Sequence, residues 1–292
     1  MISSFSDAKY SWILLSIIIG LASHFIRAIR WKLTLEPLGY TPKTYNVFFA
    51  VMTCYIANLA FPRLGDIIRC TTLAKYEKYS FNKVLGTVIA ERAVDLFFLG
   101  IALILVLIFQ GHELNLYFQK TNVQFFNSKG ILKAILLISS VLFLGIATTQ
   151  LIKKSSNAFI VRLTSFLKKV TNGVKTIWQM EQKFIYIFYT IIIWMLYIML
   201  FYVCIFALPE TTQIGFFGSI TCFLFGAIAI SFTNGGLGAY PALIAQATVL
   251  YEISEPIGYA LGWIVWSGQT IMILFFGALS LLLFPILNKK NA

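Results

Sequence analysis

The sequence predicts an all-α, polytopic membrane protein with about six to eight membrane segments, one or two of them re-entrant or broken. Hydrophobic residues make up 59% of the 292 residues and charged residues only 12%, whereas soluble domains carry about 25% charged residues. The apolar residues come in long uninterrupted runs, which is typical of bilayer-spanning helices. The alternating pattern of membrane β-strands does not occur, so helices must satisfy the backbone in lipid.

Five apolar runs are near or above the ~20 residues that a helix needs to cross a ~30 Å hydrocarbon core. They are Tyr10–Ile26, Val84–Phe109, Ile131–Ile152, Phe184–Leu208 and Pro256–Leu287. The last run is longer than the core requires, so we expect it to be tilted or kinked. The first run leads directly into Arg27 without a small-residue cleavage pattern, which indicates a retained helix and not a signal peptide.

Two further apolar stretches are interrupted. Asn46–Phe61 would reach only about 24 Å as a helix and is followed by Pro62. Gln213–Leu250 is divided by the segment 233–238, which reads Thr-Asn-Gly-Gly-Leu-Gly, and Pro241 follows closely. Each half is marginal as a span, so this stretch predicts either a re-entrant pair or two short spans.

Most of the 23 Lys and Arg residues lie in segments 27–45, 62–83 and 153–183 and at the C-terminus. The positive-inside rule places all four in the cytoplasm. Asn46–Phe61 then cannot cross once, and we expect it to enter the membrane and return. An ordinary short helix is the alternative, because the rule is statistical.

The whole chain, 1–292, is predicted to form one transmembrane domain. Within it, segment 153–183 is predicted to hold a basic amphipathic helix on the cytoplasmic leaflet, since apolar residues recur there at helical spacing between lysines. A plain connecting helix is the alternative. One broken element would enter from each side of the membrane, and paired interrupted segments of opposite orientation indicate an inverted-repeat transporter site.

Two charged clusters lie within or beside apolar membrane segments, where burying a charge is energetically unfavourable. The first is Asn58, Arg63, Asp66 and Arg69; the second is Glu91, Arg92 and Asp95. A charge inside the bilayer costs at least about 2.5 kcal/mol, but arginines and carboxylates in each cluster recur at i, i+3 spacing and can pair along a helix. With three arginines and three carboxylates, the clusters together are formally neutral, which favours one network.

These residue types predict a site for a phospholipid head group. Arginine binds phosphate bidentately, and carboxylates can hold an ammonium group or relay protons. Pro62 and Gly65 fit a helix break, whose free backbone N–H groups favour an anion. The second wall of the site would be the other break, because glycines allow close approach. Its candidate residues are Asn234, Gly235, Gly236 and Gly238. The alternative is that the ion pairs only lock helices together.

Other classes of function are poorly supported. No nucleophile elbow, HExxH motif or P-loop occurs, so an enzyme would have to act on lipid with Glu91 or Asp95 as base. The four cysteines form no CxxC pair and the two histidines are far apart, so we expect no metal or cofactor. The net charge of +12 is better explained by topology and anionic lipid than by nucleic acid.

Three motifs in order resemble those of the lysylphosphatidylglycerol synthase transmembrane region family, also called the flippase-like domain family. They are Arg27-Ala-Ile-Arg30-Trp31-Lys32, Asn58-Leu-Ala-Phe-Pro62-Arg63-Leu-Gly65-Asp66-Ile-Ile-Arg69 and Glu91-Arg92-Ala-Val-Asp95. The resemblance implies a polytopic domain of the bacterial inner membrane with re-entrant elements. In the multiple peptide resistance factor, a similar domain, fused to a soluble aminoacyl-transferase domain, is thought to move aminoacylated phosphatidylglycerol between leaflets.

The chain departs from the family pattern in two places. Relatives often have a further helix before the Arg-Trp motif, and many read Gly-Gly-Leu-Gly-Val-Arg-Glu where Gly238 is here followed by Ala-Tyr-Pro. Since the chain ends just after its last apolar run, we do not expect synthase activity. We expect a translocase for a phospholipid or lipid-linked substrate; a structural or accessory protein for a lipid- or envelope-modifying membrane enzyme is the alternative.

Overall fold

The computed structural model describes residues 8–61, 64–120 and 177–289. All regular elements of these residues are helices, which confirms the all-α class. The α-helices are α1 (Tyr10–Leu35), α2 (Thr44–Ala60), α3 (Leu64–Glu77), α4 (Phe81–Phe109), α5 (Gly111–Lys120), α6 (Lys183–Cys204), α7 (Gly215–Phe232), α8 (Ala239–Val249) and α9 (Glu255–Leu287). Short 3-10 helices are Glu36–Leu38, Ile205–Ala207 and Pro209–Ile214.

Five helical segments of the described residues are long and apolar enough to cross a membrane. They are Tyr10–Leu38, Phe81–Phe109, Lys183–Ala207, Pro209–Phe232 and Glu255–Leu287. A multi-pass helical membrane protein is therefore confirmed. The predicted span Ile131–Ile152 lies outside the described residues, as do Arg63 and all but the last residues of the predicted amphipathic segment 153–183.

Contacts within the chain define two compact units. One consists of Met1–Val88 and Gln182–Ala292, and the other of Ile89–Glu181. Helix α4 begins in the first unit and continues into the second. The hairpins and packing described next belong to the first unit. A single transmembrane domain over 1–292 stays a prediction.

Helices α2 and α3 form an antiparallel pair, the first hairpin. At its tip, the backbone N–H of Gly65 donates to Oδ1 of Asn58 at 2.9 Å. At its base, Nδ2 of Asn46 donates to Oε1 of Glu77 at 2.7 Å. A Cβ atom on Gly65 would collide with the carbonyl oxygen of Cys54, so glycine lets the two helices approach closely. The chain therefore returns to the end at which it entered.

This hairpin corrects the predicted place of the return. Asn46–Phe61 does not turn back within itself, because it forms the uninterrupted helix α2. The return is made by α3, which the sequence analysis placed in the cytoplasmic segment 62–83. Asp66, Arg69 and Lys75 interrupt the apolar residues of α3, so its sequence does not have the pattern of a membrane element.

Helices α7 and α8 form the second hairpin, with the Gly-rich segment 233–238 at its tip. At the base, Nε2 of Gln213 donates to the carbonyl oxygen of Tyr251 at 2.9 Å. Along its length, Gly226 of α7 faces the ring of Tyr240 on α8. Helix α8 has 11 residues, which is about 17 Å. That is too short to cross a bilayer by itself, whereas α7 lies within the segment Pro209–Phe232, which is long enough. The choice between a re-entrant pair and two short spans stays a prediction.

The long helix α9 packs against both hairpins, at opposite ends. Just after its C-terminal end, Asn288 donates to and accepts from the side chain of Asn46 at the base of the first hairpin, at 2.8 and 2.9 Å. Near its N-terminal end, Gly258 faces Thr248, close to the base of the second hairpin. The two hairpins therefore run in opposite directions along α9. Whether they form an inverted repeat stays a prediction.

Two apolar clusters lie in the first unit. One joins α6, α7, α8 and α9 around buried residues such as Phe201 and Ile244. The other joins α1, α2, α3, the start of α4 and the end of α9 around Trp31 and Phe284. The four cysteines are buried and free of disulfides. The two hairpins are thus each anchored in a core of their own.

Candidate functional site

The tips of the two hairpins meet. A Cβ atom on Gly235, at the tip of the second hairpin, would lie 2.6 Å from Cδ2 of Leu59 in the last turn of α2. The indole Nε1 of Trp266, in the N-terminal half of α9, donates to the carbonyl oxygen of Gly235 at 2.8 Å. The structure therefore brings together the two interrupted segments that the sequence singled out.

The second tip requires glycine. Gly235, Gly236 and Gly238 have φ angles of +59°, +82° and +72°, a region that residues with a Cβ rarely adopt. The carbonyl of Asn234 accepts a hydrogen bond from the backbone N–H of Leu237 at 3.3 Å, which closes the turn. These contacts place the segment 233–238 against the first hairpin; its role in binding stays a prediction.

At the first tip, Asn58 is held by its neighbours in the hairpin. Its Oδ1 accepts from the Gly65 backbone, and its Nδ2 lies 3.7 Å from Sγ of Cys54. The same sulfur lies 3.7 Å from Oδ1 of Asp66. Because the amide of Asn58 stabilises the start of α3, it positions this tip.

Arg69 is buried one turn after Asp66. Its Nε lies 3.4 Å from Oδ1 of Asp66, and Asp66 is 26% exposed whereas Arg69 is 1% exposed. The guanidinium carbon lies 4.6 Å from the ring centroid of Trp31 on α1, a distance typical of a cation–π contact. Trp31 is itself fixed by a 3.0 Å hydrogen bond from its Nε1 to Oγ1 of Thr87 on α4. The side chain of Arg69 thus joins α3 to α1.

Two further arginines, Arg27 and Arg30, are buried inside helix α1 at 6% and 0% exposure. The sequence analysis placed both in a cytoplasmic segment, 27–45, because the apolar run ends at Ile26. The structure places both inside the protein on α1, which continues to Leu35; the side of the membrane on which this segment lies stays a prediction. Polar side chains on facing helices accept hydrogen bonds from both arginines.

Their partners lie on α2 and α6. Nη1 of Arg27 donates to the hydroxyl of Tyr55 at 2.8 Å. Nη1 of Arg30 donates to Oγ1 of Thr190 at 3.1 Å, and its guanidinium carbon lies 5.3 Å from the ring centroid of Tyr186. Three arginines are therefore buried in the described part of the first unit, on α1 and α3.

The other predicted cluster lies on α4 in the second unit. Glu91 is fully buried. Nη1 of Arg92 lies 4.0 Å from Oδ2 of Asp95, and their side chains are 40% and 13% exposed. This pair has the predicted i, i+3 spacing. A single network of both clusters stays a prediction.

Comparison with models of protein families identifies the family of this chain. Residues 1–277 match the model described as "Lysylphosphatidylglycerol synthase TM region". The chain belongs to this family. No curated protein and no solved structure matches it significantly. The word synthase in the family's name refers to proteins that contain this transmembrane region, so the match identifies the region and not a reaction.

Within this lysylphosphatidylglycerol synthase transmembrane region, sequence reasoning found both hairpin tips but missed the aromatic partners of the arginines. Tyr55 and Tyr197 lie in apolar stretches and were interpreted only as membrane residues. Their hydroxyls lie 3.4 Å apart. The signal that could have found Tyr55 is its position one turn before Asn58 on α2.

Proposed function

We propose that this protein moves a phospholipid, or another lipid-linked substrate with an anionic head group, between the two leaflets of a membrane. One observation carries the proposal: the two hairpins run in opposite directions along α9 and meet at Gly235 and Leu59. Interrupted helices that meet near the middle of a membrane domain are typical of transporter sites. The proposal involves no catalysis and no cofactor.

Helix ends support an anionic substrate. Helices α3 and α8 both begin at a hairpin tip, at Leu64 and Ala239. The N-terminus of a helix carries a partial positive charge. Some N–H groups of these first turns are already bonded, since Gly65 donates to Asn58 and Tyr240 to the carbonyl of Gly236, so the attraction for an anion rests on the helix dipole. Two such ends at the meeting tips would favour a phosphate group over a neutral or cationic group.

Buried arginines support the same substrate. Arg27 lies on α1, which packs against the first hairpin, and Arg69 lies on α3 within that hairpin. A guanidinium binds phosphate oxygens through two parallel hydrogen bonds. Asp66, which pairs with Arg69, is partly exposed, so Arg69 would exchange this carboxylate for a phosphate group of the substrate.

The charge distribution supports an orientation. Basic residues gather at the end of α9 that holds the base of the first hairpin: Lys43, Lys75, Lys78, Lys83 and Lys289. Acidic residues lie at the other end: Glu210, Glu252 and Glu255. By the positive-inside rule, the first hairpin and the C-terminus would face the cytoplasm. The resemblance to a bacterial family supports the bacterial cytoplasmic membrane as its location.

The proposal is tested with purified protein in vesicles that contain fluorescent phosphatidylglycerol. Label in the inner leaflet is protected from an external reductant, so its loss over time measures lipid movement. We expect faster loss with the protein than in protein-free vesicles, and slower loss for Asp66→Asn. Lys75→Gln, an exposed change on the same helix, is the matched control. Equal rates with and without wild-type protein would overturn the proposal.

The alternative function is structural: an accessory protein that serves a lipid- or envelope-modifying enzyme in the membrane. It is favoured by Arg30, whose contacts to Thr190 and Tyr186 are sealed from solvent and tie α1 to α6. In that case Asp66→Asn would lower the unfolding temperature while no variant, nor the wild type, moved lipid.

A further inference from the structure

Two arginines on α1, three residues apart, lie in different surroundings. Arg30 is sealed, because it and its partners Thr190 and Tyr186 are each 0% exposed. Arg27 is 6% exposed, but its partners Tyr55 and Tyr197 are only half-buried. The guanidinium of Arg27 is therefore covered by side chains that themselves reach an open surface, whereas Arg30 has no such route.

Three polar groups converge around Arg27. Its Nη1 donates to the Tyr55 hydroxyl at 2.8 Å, and its guanidinium carbon lies 5.8 Å from the ring centroid of Tyr197. The two phenol oxygens are 3.4 Å apart, which is long compared with the usual 2.7–2.8 Å, roughly, of an O–H···O bond. The hydrogen bond between the two phenols is therefore weak.

Aromatic rings surround this group on its apolar side. The ring of His24 lies 4.1 Å from that of Tyr55. The ring centroid of Tyr197 lies 6.4 Å from that of Trp194 and 6.3 Å from that of Phe223. The centroids of Trp194 and Phe223 are 6.1 Å apart. The wall therefore combines three polar groups with several ring faces, as a ligand with an ionic head and an apolar body requires.

The position of the group relates it to both hairpins. Tyr55 lies on α2 one turn before Asn58 at the first tip, and Phe223 lies on α7 of the second hairpin. Tyr197 lies on α6 and contacts both residues, Tyr55 through its hydroxyl and Phe223 through its ring. The phenols are thus near the depth at which the tips meet.

We propose that Arg27, Tyr55 and Tyr197 form a binding site for phosphate oxygens, and that the phosphodiester of a lipid head group occupies it. The guanidinium supplies charge, and the phenols supply O–H donors on the partly open side. This inference rests on the proposed function, because it names residues that would hold the head group at the depth of the tips. None of these residues belongs to the two charged clusters.

The test measures binding by calorimetry of the detergent-purified full chain. The probe is dihexanoylphosphatidylglycerol; dihexanoylglycerol, which lacks the phosphate, and inorganic phosphate are compared with it. We expect Tyr55→Phe and Tyr197→Phe each to weaken binding about three- to tenfold, because each removes one hydrogen bond. Tyr186→Phe is the matched control, since it removes a hydroxyl group beside the sealed Arg30 and should leave affinity unchanged.

Several outcomes separate the possibilities. Unchanged affinity in both phenylalanine variants, equal binding of dihexanoylglycerol, or no binding by the wild type would each overturn the site. If inorganic phosphate binds as tightly as the lipid and is weakened by the same variants, the site stands and free phosphate is its ligand. Unfolding temperatures are measured for every variant, so a loss of binding in a folded protein is distinguished from misfolding.

The vesicle assay tests the proposed function independently. If the wild type moves no lipid but binding of the probe depends on Tyr55 and Tyr197, translocation fails and the site stands. If the wild type moves lipid and Tyr197→Phe changes neither movement nor affinity, translocation stands and the site fails.

Discussion

Gly235 lies directly against Leu59, and this contact joins two hairpins whose bases are at opposite ends of α9. At Gly235 there is no room for a Cβ atom, and φ is +59°. The carbonyl of Gly235 is held by Trp266. The position of one tip relative to the other is therefore set by a backbone contact and one hydrogen bond.

Gly235→Ala should destabilise the protein and slow lipid movement. The added methyl group meets Leu59, and the left-handed backbone costs about 1 kcal/mol or more for a residue with a Cβ. We expect a lower midpoint of thermal unfolding, measured by tryptophan fluorescence in detergent.

Two variants control for this change. Gly86→Ala, where a Cβ has nothing within 4 Å, should stabilise α4 by about 0.5–1 kcal/mol. Leu59→Ala combined with Gly235→Ala should recover the part of the loss that is due to collision. A double variant no more stable than Gly235→Ala would show that strain alone is responsible.

Trp266→Phe should loosen the second tip. It removes the 2.8 Å bond to the carbonyl of Gly235 and retains most of the ring, so the expected cost is about 0.5–1.5 kcal/mol. Faster hydrogen exchange at residues 233–238, measured by mass spectrometry, would confirm it. Trp263→Phe is the control, because the Trp263 indole donates no hydrogen bond within the described residues; equal exchange in both variants would contradict the prediction.

Asn288→Ala should weaken the base of the first hairpin. The side chains of Asn46 and Asn288 exchange two hydrogen bonds and both are almost fully buried. Leaving the Asn46 amide partly unsatisfied should cost about 1–3 kcal/mol. A double-mutant cycle with Asn46→Ala measures the coupling; additive losses would show that the pair is not coupled.

Arg69→Lys should lower both stability and lipid movement. Lysine keeps the charge but loses the planar group that lies 4.6 Å from the ring centroid of Trp31, at a cost of about 0.5–2 kcal/mol. The unfolding midpoint and the vesicle assay are measured together. A variant with wild-type values in both would show that charge alone matters at this position.

The hairpins could be predicted from the sequence only in part. Their interruptions were visible, because Pro62 and the glycines of 233–238 break apolar stretches. The returning helix α3 was not, because Asp66, Arg69 and Lys75 give it the composition of a loop near the membrane. Burial of Arg69 against Trp31 depends on packing between helices, which no local pattern records.

The candidate site shows the same limit. Asp66 and Arg69 were predicted as a pair from their spacing, and they are within 3.4 Å. Arg27 was counted as a topological charge, since the statistics of basic residues do not distinguish an arginine in a loop from one that donates to Tyr55 inside the protein. Only the facing helix reveals the difference.

Helix α9 sets the distance and the angle between the two hairpins. Helix α8 packs directly against Gly258 and Gly262, and Ile56 of α2 packs against Gly277. Helix α9 is continuous between these positions. Each residue of a helix adds 1.5 Å and turns the chain by about 100°. One inserted residue between Gly262 and Gly277 would therefore swing one hairpin out of alignment with the other. This stretch of α9 can therefore tolerate many substitutions, but it cannot gain or lose a residue without misaligning the hairpins.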